Sequence, residues 1–195
     1  MRCTPTPAVS GCRPWGRRFA GSRSLDALVQ DYIRTDRPRQ RAELEFFRRM
    51  PSLQLAIRAA GYAEDHRGKR FSHQRRLKRI SLHAACVRLS GIQPVIRGVI
   101  SFEQLLQLIE DALRDIRGIG ELYCYDTALR LGAYLNLVPQ VVHLHAGARL
   151  GAGALRLDVS RRSINPRTLA VALRRLRPHE VENFLCIFRE AFVGL

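Results

Sequence analysis

The chain is short of acid and almost without lysine. Its 195 residues hold 17 Asp and Glu against 33 Lys and Arg, and Lys69 and Lys78 are the two lysines, so 31 of the basic residues are arginine. The formal charge is +16 and the sequence pI about 11.1. GC-rich codons explain arginine in place of lysine, but they do not explain the shortage of acids. A field this positive attracts phosphate polyanions or anionic surfaces, or else is tolerated as self-repulsion. Paired cysteines are missing too. Cys3, Cys12, Cys86, Cys124 and Cys186 are odd in number and form no C-x-x-C, which excludes a disulfide framework and a zinc ribbon. No apolar run approaches the 18 residues of a membrane-spanning helix. A P-loop, G-x-S-x-G, H-E-x-x-H, kinase and Rossmann signatures are all absent, which disfavours the familiar enzyme types.

Residues 1–23 have no acid, five arginines, three prolines and no apolar periodicity. They lack the apolar core of a secretory signal, and a disordered basic tail is expected there, with a transit peptide or an over-long start as alternatives. The chain as a whole is 46% hydrophobic and 26% charged, ordinary values for a globular protein. A single all-α domain of about eight helices is expected over 24–195, in a reducing, cytoplasmic compartment, with Cys86, Cys124 and Cys186 as small buried thiols.

Helical periodicity starts at Leu25, and Pro38 separates a first helix from a second at about Gln40–Met50. A third helix starts after Pro51-Ser52 and ends at Gly61. Ser72 reads as the cap of a long helix to Leu89 with Leu77, Ile80, Ala84 and Val87 as its buried stripe. Pro94 opens a connector with room for a short strand. Ser101-Phe-Glu-Gln104 is a capping box for the next helix. Val141–His145 reads as a strand or a turn-rich link, followed by a glycine-spaced run, Gly147, Gly151 and Gly153, that permits close backbone approach. Asn165-Pro166 and Pro178 each open a further helix. In the last one Val181, Phe184, Leu185, Phe188 and Phe192 share a buried face.

Residues 113–137 read LRDIRGIGELYCYDTALRLGAYLNL, an apolar helix, a Gly-hydrophobic-Gly turn and a second helix. This segment resembles a helix-hairpin-helix module. The resemblance implies a contact with the DNA backbone that does not read sequence: Gly118 and Gly120 make the turn, Ile119 plugs the space between the helices, and N–H groups at the start of the second helix face a phosphate. Cys124 stands where that family usually has a small Ala, and the surroundings hold six acids, Glu103, Glu110, Asp111, Asp115, Glu121 and Asp126, against Arg114 and Arg117. The alternative is a plain αα-corner with a glycine turn. From about Arg48 onward the chain also resembles a group of bacterial proteins with no activity to transfer, through HRGKRFSHQRR, GIGELYCYDTALRLG, VHLHAG and RPHEVENFLCI.

The densest basic segment, residues 66–79, carries seven Lys and Arg and no acid. Arg67, Lys69, Arg70, Arg75, Arg76 and Arg79 are the expected phosphate contacts, joined by Arg117, Gly118, Gly120 and Arg149, with Phe71 placed to stack on a base. Nucleic acid, DNA before RNA, is the expected partner, with no cofactor and no metal. An enzyme would draw on Asp126, His143 and His145, since an extended H-x-H puts both imidazoles on one side, about 7 Å apart. A base-excision lyase is disfavoured, because no lysine stands early in the second helix of the hairpin. A structural subunit that meets an acidic partner protein is the third reading.

Overall fold

The computed structural model describes residues 24–195, without the side chains of residues 193 and 194; the tail expected at 1–23 lies outside the described residues. The fold is all-α. Among the described residues there are nine α-helices: α1 (Leu25–Thr35), α2 (Arg37–Arg48), α3 (Leu53–Gly61), α4 (Arg79–Gly91), α5 (Gln93–Gly98), α6 (Phe102–Leu113), α7 (Glu121–Leu135), α8 (Ala146–Ala154) and α9 (Pro178–Phe188). Two short strands, β1 (Val142–His143) and β2 (Ser163–Ile164), pair antiparallel. No helix among these residues is long and apolar enough to cross a membrane.

Local chemistry explains most helix starts. Ser24, Ser52 and Ser101 each accept a backbone N–H three residues on, from Ala27, Leu55 and Gln104, which satisfies a donor that the first turn leaves unpaired. Gln104 returns the favour one residue early, its Oε1 accepting the Ile100 N–H at 3.1 Å. Pro38 does not separate two helices but sits in the first turn of α2, where its missing N–H costs nothing. Pro94 does the same for α5, so the expected connector is helical. Asn165-Pro166 opens only a single 3₁₀ turn, Pro166–Thr168.

The helix expected from Ser72 is the main correction. Ser72–Gln74 is one 3₁₀ turn, and α4 begins only at Arg79. Gln74 and His73 are drawn inward to hydrogen-bond Asp126 on α7, and the chain turns there rather than winding on. The buried stripe of α4 is Leu82, Ala85, Cys86 and Leu89, while Ile80 and Val87 are 76% and 57% exposed. Apolar residues stand on both sides of this helix, and sequence spacing alone selected the wrong side.

The core forms two clusters. The first gathers α3 to α7 with Phe47 of α2, centred on Leu82, Leu89, Phe102, Ile109 and Leu131. The second packs α1, β1, α8 and α9 around Tyr32, Val142, Phe184 and Phe188. The last helix buries Val181, Phe184, Leu185 and Phe188, and Phe192 follows in a 3₁₀ turn. Tyr32 meets Phe184 edge to face at 5.8 Å. Cys86, Cys124 and Cys186 are buried free thiols. The glycine spacing on α8 has the expected meaning at Gly151, where a Cβ would lie 2.0 Å from the Leu185 carbonyl oxygen. Backbone rests on backbone there, and no other residue fits.

Candidate nucleic-acid interface

Residues 65–70 form a tight turn built on one carboxylate. Asp65 Oδ1 accepts the N–H groups of Arg67 at 2.8 Å and Lys69 at 3.0 Å. Gly68 supplies the left-handed conformation the turn needs, at φ +67°. Arg67 and Lys69 stand outward and exposed. Arg70 is half-buried and donates to the Leu77 carbonyl at 3.0 Å, closing the loop back on itself. After the 3₁₀ turn the chain presents Arg75, Arg76, Lys78 and Arg79, all exposed.

The start of α4 is tied to the glycine turn between α6 and α7. Ser81 Oγ donates to the Arg117 carbonyl at 2.7 Å. Further along the helix, Arg88 grips Asp115 with both guanidinium nitrogens, at 2.8 and 3.2 Å, and caps the Ala112 carbonyl at 3.0 Å. Two basic segments 36 residues apart are therefore held side by side. Gly118 has φ +88° and needs its freedom, whereas Gly120 has φ −128° and does not. Gly120 is the N-cap of α7, and Ile119 packs partly buried against the first core cluster.

Beside this face lies an open basin of about 960 Å³ between α3, α4 and the basic loop. Arg58, Arg70, Arg75, Arg79 and His83 line it with a single acid, Glu64. Tyr62 Oη and His83 Nδ1 are 2.8 Å apart on its wall. Among the described residues no ion pair engages Arg58, Arg67, Lys69, Arg75, Arg76, Lys78, Arg79 or Arg117. Arg58, Lys78 and His83 were missing from the residues expected by sequence. Arg58 carries a readable signal, as the one charged side chain in the apolar helix LQLAIRAAG.

Two expected residues do not join the face. Arg149 is turned inward, donating to the carbonyls of Leu144 at 2.9 Å, Arg161 at 3.1 Å and Val159. Its guanidinium closes the segment between β1 and β2 because those carbonyls have no strand partner. Phe71 is not placed to stack on a base: the Arg130 guanidinium covers its ring at 4.0 Å, and the His73 ring lies 6.1 Å away at an interplanar angle of 27°.

No hydrogen bond joins Asp126, His143 and His145 to one another, although Asp126 and His145 each feel the other's charge. Asp126 accepts from His73 Nε2 at 2.8 Å and Gln74 Nε2 at 2.7 Å, with Arg130 at 3.9 Å. Burial alone would raise its pKa, but the His73 hydrogen bond and the Arg130 charge outweigh burial and hold the carboxyl below its usual range. His145 is the N-cap residue of α8 and pairs through Nε2 with Glu182 of α9. Burial works against the imidazolium, yet the Glu182 carboxylate prevails and raises the His145 pKa. His143 stands 4.0 Å from Glu103, and burial lowers its pKa despite that neighbour. The Tyr125 ring lies between the two imidazoles, 5.5 Å from His143 and 6.0 Å from His145. His73 and Glu182 are the partners that sequence did not indicate, since each is remote in the chain from the group it serves. Among the described residues, no cluster of three or more His, Cys, Asp or Glu is arranged to hold a metal ion.

Comparison with family models, curated proteins and solved structures finds no match for this chain.

Proposed function

We propose that the protein binds the phosphate backbone of nucleic acid, DNA before RNA, without strong sequence preference, through the face made by residues 67–79, the start of α4 and the turn at Arg117 and Gly118. The observation that carries this reading is the Ser81–Arg117 hydrogen bond. It sets a loop rich in cations beside the turn that carries Arg117, and among the described residues the loop cations and Arg117 have no carboxylate partner, whereas Arg114 of the same turn pairs with Asp111. Unpaired, exposed guanidinium groups suit phosphate oxygens, which they contact in forked geometry at little desolvation cost. Phe71, the one Phe, Tyr or Trp in residues 67–79, is partly buried under the Arg130 guanidinium, which argues for backbone contacts over base readout.

Fluorescence anisotropy with labelled duplex and single-stranded DNA tests the reading. Arg75→Ala/Arg79→Ala is expected to weaken binding about tenfold or more while the thermal melt stays unchanged. A double variant that binds as tightly as the wild-type protein would remove the face from the account.

A further inference from the structure

Another pocket, of about 480 Å³, opens where α2 and α7 of the first core cluster meet the first turn of α9 from the second. Its size falls within the roughly 300–1,000 Å³ of small-molecule sites, which often form between packed helices. Leu44, Leu129, Leu137 and Val138 make its apolar wall, and the three leucines back onto the first core cluster. Arg41, Arg48 and Arg177 share the lining, all exposed.

Two acids line the pocket as well, and each already serves two other guanidinium groups. Glu45 binds Arg48 and Arg49, each at 2.6 Å, while Glu180 binds Arg37 at 2.9 Å and Arg41 at 3.4 Å. Glu180 accepts the backbone N–H of Arg177 at 3.0 Å. The Arg177 guanidinium itself engages no carboxylate among the described residues. Three guanidinium groups against two carboxylates leave the lining with one positive charge in excess.

His179, also in the lining, is 5% exposed, and its Nδ1 is buried without a hydrogen-bond partner. Four charged groups act on its ring, and three of them, Glu180, Arg177 and Arg41, line the pocket, so the imidazole is turned toward that space. Burial lowers its pKa to about 4, so near neutrality the ring carries a single N–H. A buried ring nitrogen without a partner is unfavourable and uncommon, and it marks the place of a missing group. Beside a free guanidinium, that group is an anion that accepts hydrogen bonds. One excess charge matches a monoanion better than a dianionic phosphate, and a guanidinium takes a carboxylate in forked geometry. The apolar wall adds a demand for a hydrocarbon stem, which a bare ion lacks.

We propose that this pocket binds a small organic monoanion, a carboxylate on an apolar stem, with the carboxylate between Arg177 and His179 Nδ1 and the stem against Leu44, Leu129 and Val138. The inference is independent of nucleic-acid binding, because no residue of this lining belongs to the basic face.

Isothermal titration at fixed ionic strength with sodium acetate, butyrate, hexanoate and inorganic phosphate tests it. The expected result is saturable binding of hexanoate at one site, with affinity that rises from acetate to hexanoate by up to about fourfold per added methylene. Arg177→Gln should weaken hexanoate about tenfold or more. Val138→Asp, which sets a like charge on the apolar wall, should weaken it as well. Both residues are exposed, so the variants keep the fold, as unchanged thermal melts would verify. In nitrogen-15 NMR spectra of the wild-type protein, the His179 ring signals should move as hexanoate is added. Absence of saturable hexanoate binding, affinity that is flat from acetate to hexanoate, phosphate that binds more tightly than hexanoate, binding that Arg177→Gln leaves unchanged, or His179 signals that stay in place would each overturn the proposal.

Discussion

Arg75 and Arg130 belong to the same arginine-rich chain, yet the fold treats them in opposite ways. Arg75 stands exposed on the wall of the basin, and among the described residues no ion pair engages it. Arg130 is 1% exposed and engages Glu43 at 2.9 Å, Gln74 at 3.1 Å and the Phe71 ring at 4.0 Å. The same division runs through the whole chain. Arg37 and Arg41 hold Glu180 at 2.9 and 3.4 Å, and Arg149 closes three carbonyls, whereas among the described residues the arginines at 58, 67, 75, 76, 79 and 117 engage no carboxylate. A net charge says how much positive potential a chain carries, but only the partner of each guanidinium says where that potential is free to act. The two populations should therefore respond to mutation in opposite ways.

The largest effect is expected at Arg130. Arg130→Ala leaves Glu43 and Asp126 without their cation in a largely buried setting and uncovers Phe71, and should destabilise the fold by about 3–5 kcal/mol, as read from denaturant unfolding. A loss below about 1 kcal/mol would mean that its partners are already satisfied by water.

His179 sharpens the comparison, because it sits among the engaged arginines. It is 5% exposed, its Nδ1 has no partner, and burial, opposed by Glu180 and assisted by Arg177, Arg41 and Arg37, lowers its pKa to about 4. Between pH 6.5 and 4 the unfolded chain binds a proton there that the folded chain refuses, so stability falls as pH falls through that window, by up to about 3 kcal/mol. His145 has the opposite sign, since its raised pKa contributes stability below pH 6.5 that is lost as pH rises. Unfolding curves of His179→Asn against wild type at pH 4.5 and 7 separate the two, and the variant should lose less stability on acidification. Equal losses would contradict a neutral buried His179.

Arg149→Ala should cost about 1–3 kcal/mol through the carbonyls it leaves unpaired and leave DNA affinity unchanged. Weakened DNA binding with intact stability would move Arg149 from the structural population to the surface one.

What was legible in the sequence divides along the same line. The caps at Ser52 and Ser101, the first-turn Pro178 and the apolar faces of α6 and α9 are set by contacts within a few residues, and those were readable. So was the glycine turn between α6 and α7, because Gly118 stands where the backbone goes left-handed. Pro38 and Pro94 read as breaks although both sit in first turns, and the other failures came where a distant partner decides. Gln74 and His73 stop a helix at Ser72–Gln74 because Asp126, 52 and 53 residues on, draws them inward. Likewise Arg149 reads as an exposed cation in a basic cluster until three carbonyls with no strand partner are seen around it. His145 gains its raised pKa from Glu182, 37 residues away. Short-range chemistry places elements, and long-range hydrogen bonds then decide which charged groups remain for a ligand.

The most direct test of the central claim is the salt dependence of DNA binding. Among the described residues Arg58, Arg67, Lys69, Arg75, Arg76, Lys78, Arg79 and Arg117 have no ion-pair partner; Arg58, Arg75 and Arg79 share one basin, and the Arg117 carbonyl is tied to Ser81 at the start of α4. If about six of them meet phosphates, affinity should fall about a thousandfold between 50 and 200 mM salt. Plotted as log affinity against log salt, the slope of Arg75→Ala/Arg79→Ala/Arg117→Ala should be shallower than wild type by about two to three units. The slope of Arg149→Ala should match wild type. A flat wild-type dependence, or a triple variant with an unchanged slope, would contradict backbone binding by this face.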